Sequence, residues 1–160
     1  MKIVGIDPGL KATGYGFIEY QRSGIKLIET GAIEPKQKDP LPVRLNKIYT
    51  ILDELLKCYH PEYLVLEKLY AHYLYPTTAS ILGHVRGVIC LLCARQDIQF
   101  VEFPVKRIRK SLTGNGNATK LQTQKVVAQS LKISESNLTL DASDAIALAL
   151  GFVRMNSRAL

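Results

Sequence analysis

Four carboxylates in this 160-residue chain stand where they could act together on a phosphate ester. Asp7 directly follows the apolar run from Ile3 to Ile6 and precedes Pro8-Gly9. Glu67 directly follows a second apolar run, Tyr63 to Leu66. Asp141 and Asp144 are three positions apart at the start of an Ala-rich helical stretch, a spacing that puts both on one helix face. Singly, each has an ordinary structural use. Asp before Pro-Gly is turn chemistry, Asp141 can cap a helix, and Asp144 suits the positive end of a helix dipole. Together they form a set of hard oxygen donors at two strand ends and one helix start. Such donors suit Mg²⁺ or Mn²⁺, and two such ions roughly 4 Å apart can activate a water and stabilise the leaving oxygen of a phosphodiester.

The charge pattern points to the same class of substrate. The chain carries a formal net charge of +7 and a pI near 9.4. Between Phe103 and Ser134 there is no Asp or Glu, while Lys106, Arg107, Arg109, Lys110, Lys120, Lys125 and Lys132 all fall there. An acid-free basic segment of this kind suits a polyanion held by phosphate contacts. Lys106, Arg107, Arg109, Lys110, Lys120 and Lys125 are therefore candidate DNA contacts. Lys120 has a second candidate role. It follows the Gly114-Asn115-Gly116 turn and opens a helix, so it can reach the acidic cluster and stabilise charge developing on a scissile phosphate. Tyr70, Tyr73 and Tyr75 lie in the loop after Glu67, where aromatic rings can stack on opened bases.

These groups need a scaffold that brings strand ends and a helix start together. Apolar runs at Ile3 to Ile6, Thr13 to Tyr20 and Ile25 to Ile33, joined by Gly-containing turns, predict an antiparallel meander. Pro35 to Pro42 reads as a loop. From Val43 the apolar period becomes helical and stops before His60-Pro61. A strand over Tyr63 to Leu66 follows, then a helix capped by Thr77 or Thr78 and running to about Arg95, then a strand over Ile98 to Phe103. Three helices complete the chain: Pro104 to about Leu112, Lys120 to about Leu131, and Ala142 to about Arg154. The expected architecture is a single α/β domain over residues 1–160, with a mixed five-stranded sheet flanked by helices on both faces. The helix ending near Arg95 is apolar nearly all round, which calls for burial on two sides: the sheet, and a second subunit.

Cysteine usage and hydropathy bound the setting. Three cysteines make no disulfide framework, and Cys90-x-x-Cys93 lies inside an apolar helical run, where both are expected to be small buried side chains. No signal peptide is recognisable, and the longest wholly apolar stretch, Ala145 to Val153, is far shorter than a bilayer crossing. A cytoplasmic protein with no membrane partner is expected.

Four segments carry a family resemblance. Gly5-Ile6-Asp7-Pro8-Gly9 with Thr13-Gly14-Tyr15-Gly16 resembles the opening of the RuvC family of bacterial Holliday-junction resolvases. The Glu67 strand end, Gly83-His84-Val85-Arg86-Gly87-Val88, and Asp141-Ala142-Ser143-Asp144-Ala145 follow in that family's order and spacing, and together they cover nearly the whole chain. The resemblance implies an RNase H-like (retroviral-integrase-like) fold, a homodimer, and paired Mg²⁺-dependent nicks in strands of like polarity of a four-way junction. Recombination and DNA repair would be its setting, with the RuvA–RuvB branch-migration complex as partner. It implies Asp7, Glu67, Asp141 and Asp144 as metal ligands and Lys120 as the second basic catalytic-side residue. Tyr70 stands where the family usually has Phe. Arg109 stands where it commonly has Lys, with Lys110 adjacent.

Three other readings compete. An RNase H-like ribonuclease acting on structured RNA would share the sheet and the acids. A non-enzymatic DNA-binding module would use the acids only as caps. An actin-like phosphotransferase also opens on Gly-Ile-Asp-x-Gly, but it needs a second domain for which 160 residues leave no room.

Overall fold

The computed structural model describes residues 1–68 and 76–156. Tyr70, Tyr73 and Tyr75 lie outside them. Element order follows the expectation: β1 (Lys2–Asp7), β2 (Thr13–Gln21), β3 (Gly24–Ile33), α1 (Leu41–Tyr59), β4 (Tyr63–Glu67), α2 (Pro76–Arg95), β5 (Gln99–Phe103), α3 (Val105–Thr113), α4 (Lys120–Leu131) and α5 (Leu140–Asn156), with a 3-10 turn at Glu135–Asn137 before α5. The five strands form one sheet in the order β3-β2-β1-β4-β5. β1 to β3 pair antiparallel, and β4 and β5 continue from β1 in parallel.

The strand period of two sorts side chains onto two cores. Val4, Ile6, Leu64 and Leu66 point into a core closed by α1 and α2, with Ile48, Leu52, Leu56, Val85, Ile89 and Leu92. Ile3 and Val65 point the other way, into a core closed by α3, α4 and α5. Continuing the alternation past Ile3 and Val65 carries Asp7 and Glu67 onto the α5 face. The parallel register pairs Ile6 with Leu66, so the next residue of each strand, Asp7 and Glu67, emerges side by side.

Helix α5 is buried along most of its length and packs directly on β1 and β2. Glycines make that approach possible. A Cβ on Gly5 would overlap the carbonyl oxygen of Ala145, one on Gly14 the carbonyl oxygen of Asp141, and one on Gly16 the Ile146 side chain. Helix backbone lies where side chains would otherwise stand, and the N-terminal turn of α5 is thereby pressed onto the end of β1.

Several local expectations change. α1 begins at Leu41, with Pro42 in its first turn, where the missing proline N–H costs no helical hydrogen bond. α2 begins at Pro76, so Thr77 and Thr78 lie inside its first turn instead of capping it. α5 begins at Leu140, and Thr139 Oγ1 accepts from Ala142 N at 3.2 Å; Thr139, not Asp141, closes the helix start. Cys93 is buried as expected, but Cys90 is exposed. The longest apolar run proves a poor guide to membrane-crossing length, because Thr77–Arg95 of α2 is long and apolar enough to span a bilayer. Here Val85, Ile89, Leu92 and Cys93 of that helix are buried in the core, while Leu91 remains 54% exposed.

Candidate active site

Asp7, Glu67 and Asp144 line one cavity of about 190 Å³, together with Arg109, Lys120, Val105, Ile108 and Thr123. Each arrives by a different route. Asp7 and Glu67 are neighbouring strand ends, Asp144 is on the first turns of α5, Arg109 is on α3, and Lys120 opens α4. The β1–β2 turn behind Asp7 is closed by Thr13, whose Oγ1 donates to Gly9 O at 2.7 Å. Asp141 stands apart from this cavity. It lines an adjoining groove with Gly9–Ala12, Gln37, Arg44, Thr78, Ile81 and Leu82.

Crowding of acids in a partly dry site shows in their protonation. Burial pushes the Asp7 carboxyl up to about 7, and the charges of Asp144, Glu67 and, least, Asp141 add to the shift while Lys120 opposes it. Glu67 is also raised, first by burial and then by Asp144; Arg109, Lys120 and Arg86 pull it back. Without a cation the cluster is under electrostatic strain, which is the condition under which a divalent ion binds well.

Lys120 is the cation that meets this charge. Its Nζ lies 2.5 Å from Asp144 Oδ2. The hydrogen bond to Asp144 and the neighbouring acids raise its ammonium pKa. Lys120 occupies the first turn of α4, the positive end of the helix dipole, where a lysine is locally disfavoured. A reciprocal cap fixes that turn: Thr119 Oγ1 accepts from Gln122 N at 3.2 Å and Gln122 Oε1 accepts from Thr119 N at 2.9 Å. Lys120 therefore projects from a capped helix end, not from a free loop. The signal was present in the sequence as Thr119-x-x-Gln122, a capping box.

The remaining basic residues divide. Arg109 reaches the cavity, whereas Lys110 is exposed outside it. Lys106 and Lys125 are exposed on α3 and α4. Arg107 is exposed but stacks over Phe103, its guanidinium carbon 5.3 Å from the ring centroid.

Carboxylate oxygens with no sulfur or imidazole fit a hard divalent cation, not a soft one. Among the described residues no three acidic, His or Cys side chains stand close enough to enclose an ion by themselves. The donor set fits an ion that keeps water and substrate oxygens in its shell, as Mg²⁺ does.

Two groups that hold this site were not singled out from the sequence. Arg86 of α2 donates from Nη1 to Glu67 O at 2.5 Å and from Nη2 to Glu102 Oε1. Arg44 of α1 donates from Nη2 to Leu10 O at 2.6 Å and to Gln37 Oε1 at 3.1 Å, bracing the turn after Asp7. An arginine within a largely apolar helix, as Arg86 is, was the available sign of the first.

Comparison with known proteins places these features in a group. The family model for crossover junction endodeoxyribonuclease RuvC matches residues 3–152. The crossover junction endodeoxyribonuclease RuvC of Rhodopirellula baltica is 38% identical over 92% of this chain and 83% of its own length. That of Caldicellulosiruptor saccharolyticus is 35% identical over 100% of this chain and 96% of its own. In fold, the chain superposes on Thermus thermophilus RuvC with a TM-score of 0.87 at 22% identity, covering 99% of this chain and 96% of that one. The same protein in complex with a Holliday junction substrate gives 0.88 at 19% identity, with the same coverage of both chains.

Proposed function

The chain belongs to the RuvC family of crossover junction endodeoxyribonucleases, and from that premise we propose that it resolves four-way DNA junctions by metal-dependent hydrolysis with Asp7, Glu67, Asp141 and Asp144 as its acidic set. The observation that carries this reading is the convergence of Asp7, Glu67 and Asp144 with Lys120 and Arg109 in one cavity beside the acid-free basic surface of α3 and α4.

In this reading Mg²⁺, with Mn²⁺ as a substitute and two ions per site, supplies an activated water and neutralises the leaving oxygen. The chain's own groups do the rest. Asp7 and Glu67 would hold the ions from the end of the sheet. Asp144, which is ion-paired with Lys120, would complete the set, and the Lys120 ammonium would then be free to meet a phosphate oxygen. Arg109, which lines the same cavity, would hold that phosphate through its planar fork, which makes it a stronger candidate than Lys110 for the cavity-side role. Asp141, in the adjoining groove, acts at the edge of the set. Lys106, Lys110 and Lys125 contact phosphates of the junction arms, and Arg107 adds an edge of its guanidinium while its face rests on Phe103. Tyr70, three residues beyond Glu67, stacks on a base opened at the crossover.

A junction presents two equivalent strands, and a two-fold dimer would match them. The exposed side of α2, with Leu91 and Cys90, is the surface proposed for that contact. The protein would act in the cytoplasm, with the RuvA–RuvB branch-migration complex as partner.

The test compares a mobile four-way junction with a linear duplex of the same sequence, with and without Mg²⁺. Paired nicks in the junction alone, only with the ion, are expected. Equal cutting of duplex, or cutting in chelator, would overturn the reading.

A further inference from the structure

The end of β4 is gripped from the face opposite the cavity. Glu67 turns its side chain toward α5, while its backbone carbonyl accepts from Arg86 Nη1 at 2.5 Å. The other arm of the same guanidinium bonds Glu102 on β5, the residue that pairs with Leu66 in the ladder. Arg86 is 14% exposed and Glu102 32%, so the pair is largely shielded from water. One planar group thus spans two adjacent strands and ties both to α2.

Position in the ladder gives this grip its consequence. Glu67 is the last residue of β4, and the peptide after it is held on both sides, with Lys68 N donating to Phe103 O at 2.8 Å and the Glu67 carbonyl accepting from Arg86. A carbonyl held in place fixes the peptide plane after Glu67, and with it the direction of its Cα–Cβ bond. Sites of this kind tolerate errors of only about 0.5 Å and 10–20° in ligand placement. The half-buried guanidinium has Glu102 as its counter-ion, so both members of the pair serve the same end.

We infer that Arg86 is a positioning residue for Glu67, aiming the carboxylate into the cavity through its backbone carbonyl while Glu102 holds the guanidinium in register. The inference rests on the proposed role of Glu67 as a metal ligand. A lysine cannot replace Arg86, because one ammonium on a flexible stem does not span two acceptors on neighbouring strands.

The full chain is compared with Arg86→Lys, Glu102→Gln and Glu67→Gln. Four quantities are measured: melting temperature without metal, junction affinity in chelator, Mn²⁺ affinity by calorimetry, and the Mg²⁺ concentration giving half-maximal cleavage. Arg86→Lys is expected to melt near the wild type and to bind junction within about three-fold, yet to lose about ten-fold or more in Mn²⁺ affinity and to need correspondingly more Mg²⁺. Glu102→Gln keeps an acceptor but not the charge, and should shift both metal readouts about three-fold in the same direction. A folded Arg86→Lys with wild-type Mn²⁺ affinity and Mg²⁺ midpoint would overturn the inference and leave Arg86 as a tie between α2 and the sheet. If Arg86→Lys does not fold, wild-type metal readouts in Glu102→Gln overturn it instead. Wild-type Mn²⁺ binding by Glu67→Gln would instead sink the ligand role of Glu67 itself.

Discussion

Lys120 Nζ and Asp144 Oδ2 are 2.5 Å apart, joining the first turn of α4 to the first turns of α5 in the lining of the acidic cavity. The contact sets a lysine at the unfavourable end of a helix against a carboxylate that other carboxylates repel. Two local penalties are relieved by one ion pair, and both residues are left able to change partner when phosphate arrives.

Lys120→Ala should lower the junction cleavage rate by around 10² or more while changing junction affinity little, because a contact made chiefly in the transition state appears in rate and not in ground-state binding. Single-turnover rates and binding isotherms on one junction check this. Parallel loss of both would make Lys120 an ordinary phosphate contact.

Asp7 makes the metal-free protein pH-sensitive. Its carboxyl is raised to about 7 in the folded chain, against about 3.9 in an unfolded one. Between those values the folded chain retains a proton that the unfolded chain has released, so stability falls as pH rises across that window. Above it the accumulated cost is on the order of 4 kcal/mol. Asp7→Asn should therefore raise the melting temperature of the metal-free protein at pH 8 by roughly 8–16 °C, erase the pH trend, and abolish cleavage while junction binding survives. Metal affinity of the unaltered chain should climb as pH passes about 7, since the ion displaces that proton.

Salt dependence separates the basic residues. Each phosphate contact contributes roughly −0.9 to the slope of log affinity against log salt on duplex arms. Lys110→Ala should reduce that slope by about one. Arg107→Ala should change it less and cost some stability, because its guanidinium is engaged with Phe103. Identical slopes for Lys110→Ala and the unaltered chain would place Lys110 away from DNA.

Two small substitutions, one within α5 and one beneath it, should have opposite signs. Ser143 Oγ is buried with no hydrogen-bond partner, so Ser143→Ala should stabilise the chain by about 1 kcal/mol with activity retained. Gly14→Ala forces a methyl onto the Asp141 carbonyl and should cost about 1–3 kcal/mol or more. Denaturant titration of both variants checks the signs.

Tyr70→Phe should keep activity and Tyr70→Ala should impair junction cleavage, with the loss partly rescued on a junction whose crossover bases are already unpaired. Equal defects on paired and unpaired crossovers would remove the base-opening role.

Much of this was legible because the strong signals are local. Apolar runs ending on Asp7 and Glu67 gave both the strands and the acids at their ends, and the period change at Val43 marked the first helix. What stayed hidden depends on contacts across the fold. Nothing near Asp141 tells it apart from Asp144, yet packing of α5 on the sheet leaves one in the groove and the other in the cavity. Arg109 and Lys110 are adjacent in sequence and differ only in which face of α3 they occupy; Ile108 and Leu112, buried beneath, set that face. Cys90 and Cys93 look equivalent in an apolar run, but the sheet covers only one side of α2.

The glycines under α5 carry a further consequence for how such a site tolerates change. At Asp7, given its proposed role as a metal ligand, fold stability and catalysis would pull in opposite directions, so a substitution there would harden the protein while silencing it. At Gly5 and Gly14 the two are locked together: any side chain meets the backbone of the helix that bears Asp141 and Asp144, and displacing that helix opens the core in the same motion. In a survey of all single substitutions, folded but inactive variants would therefore gather at the acids. The glycine positions would yield almost none.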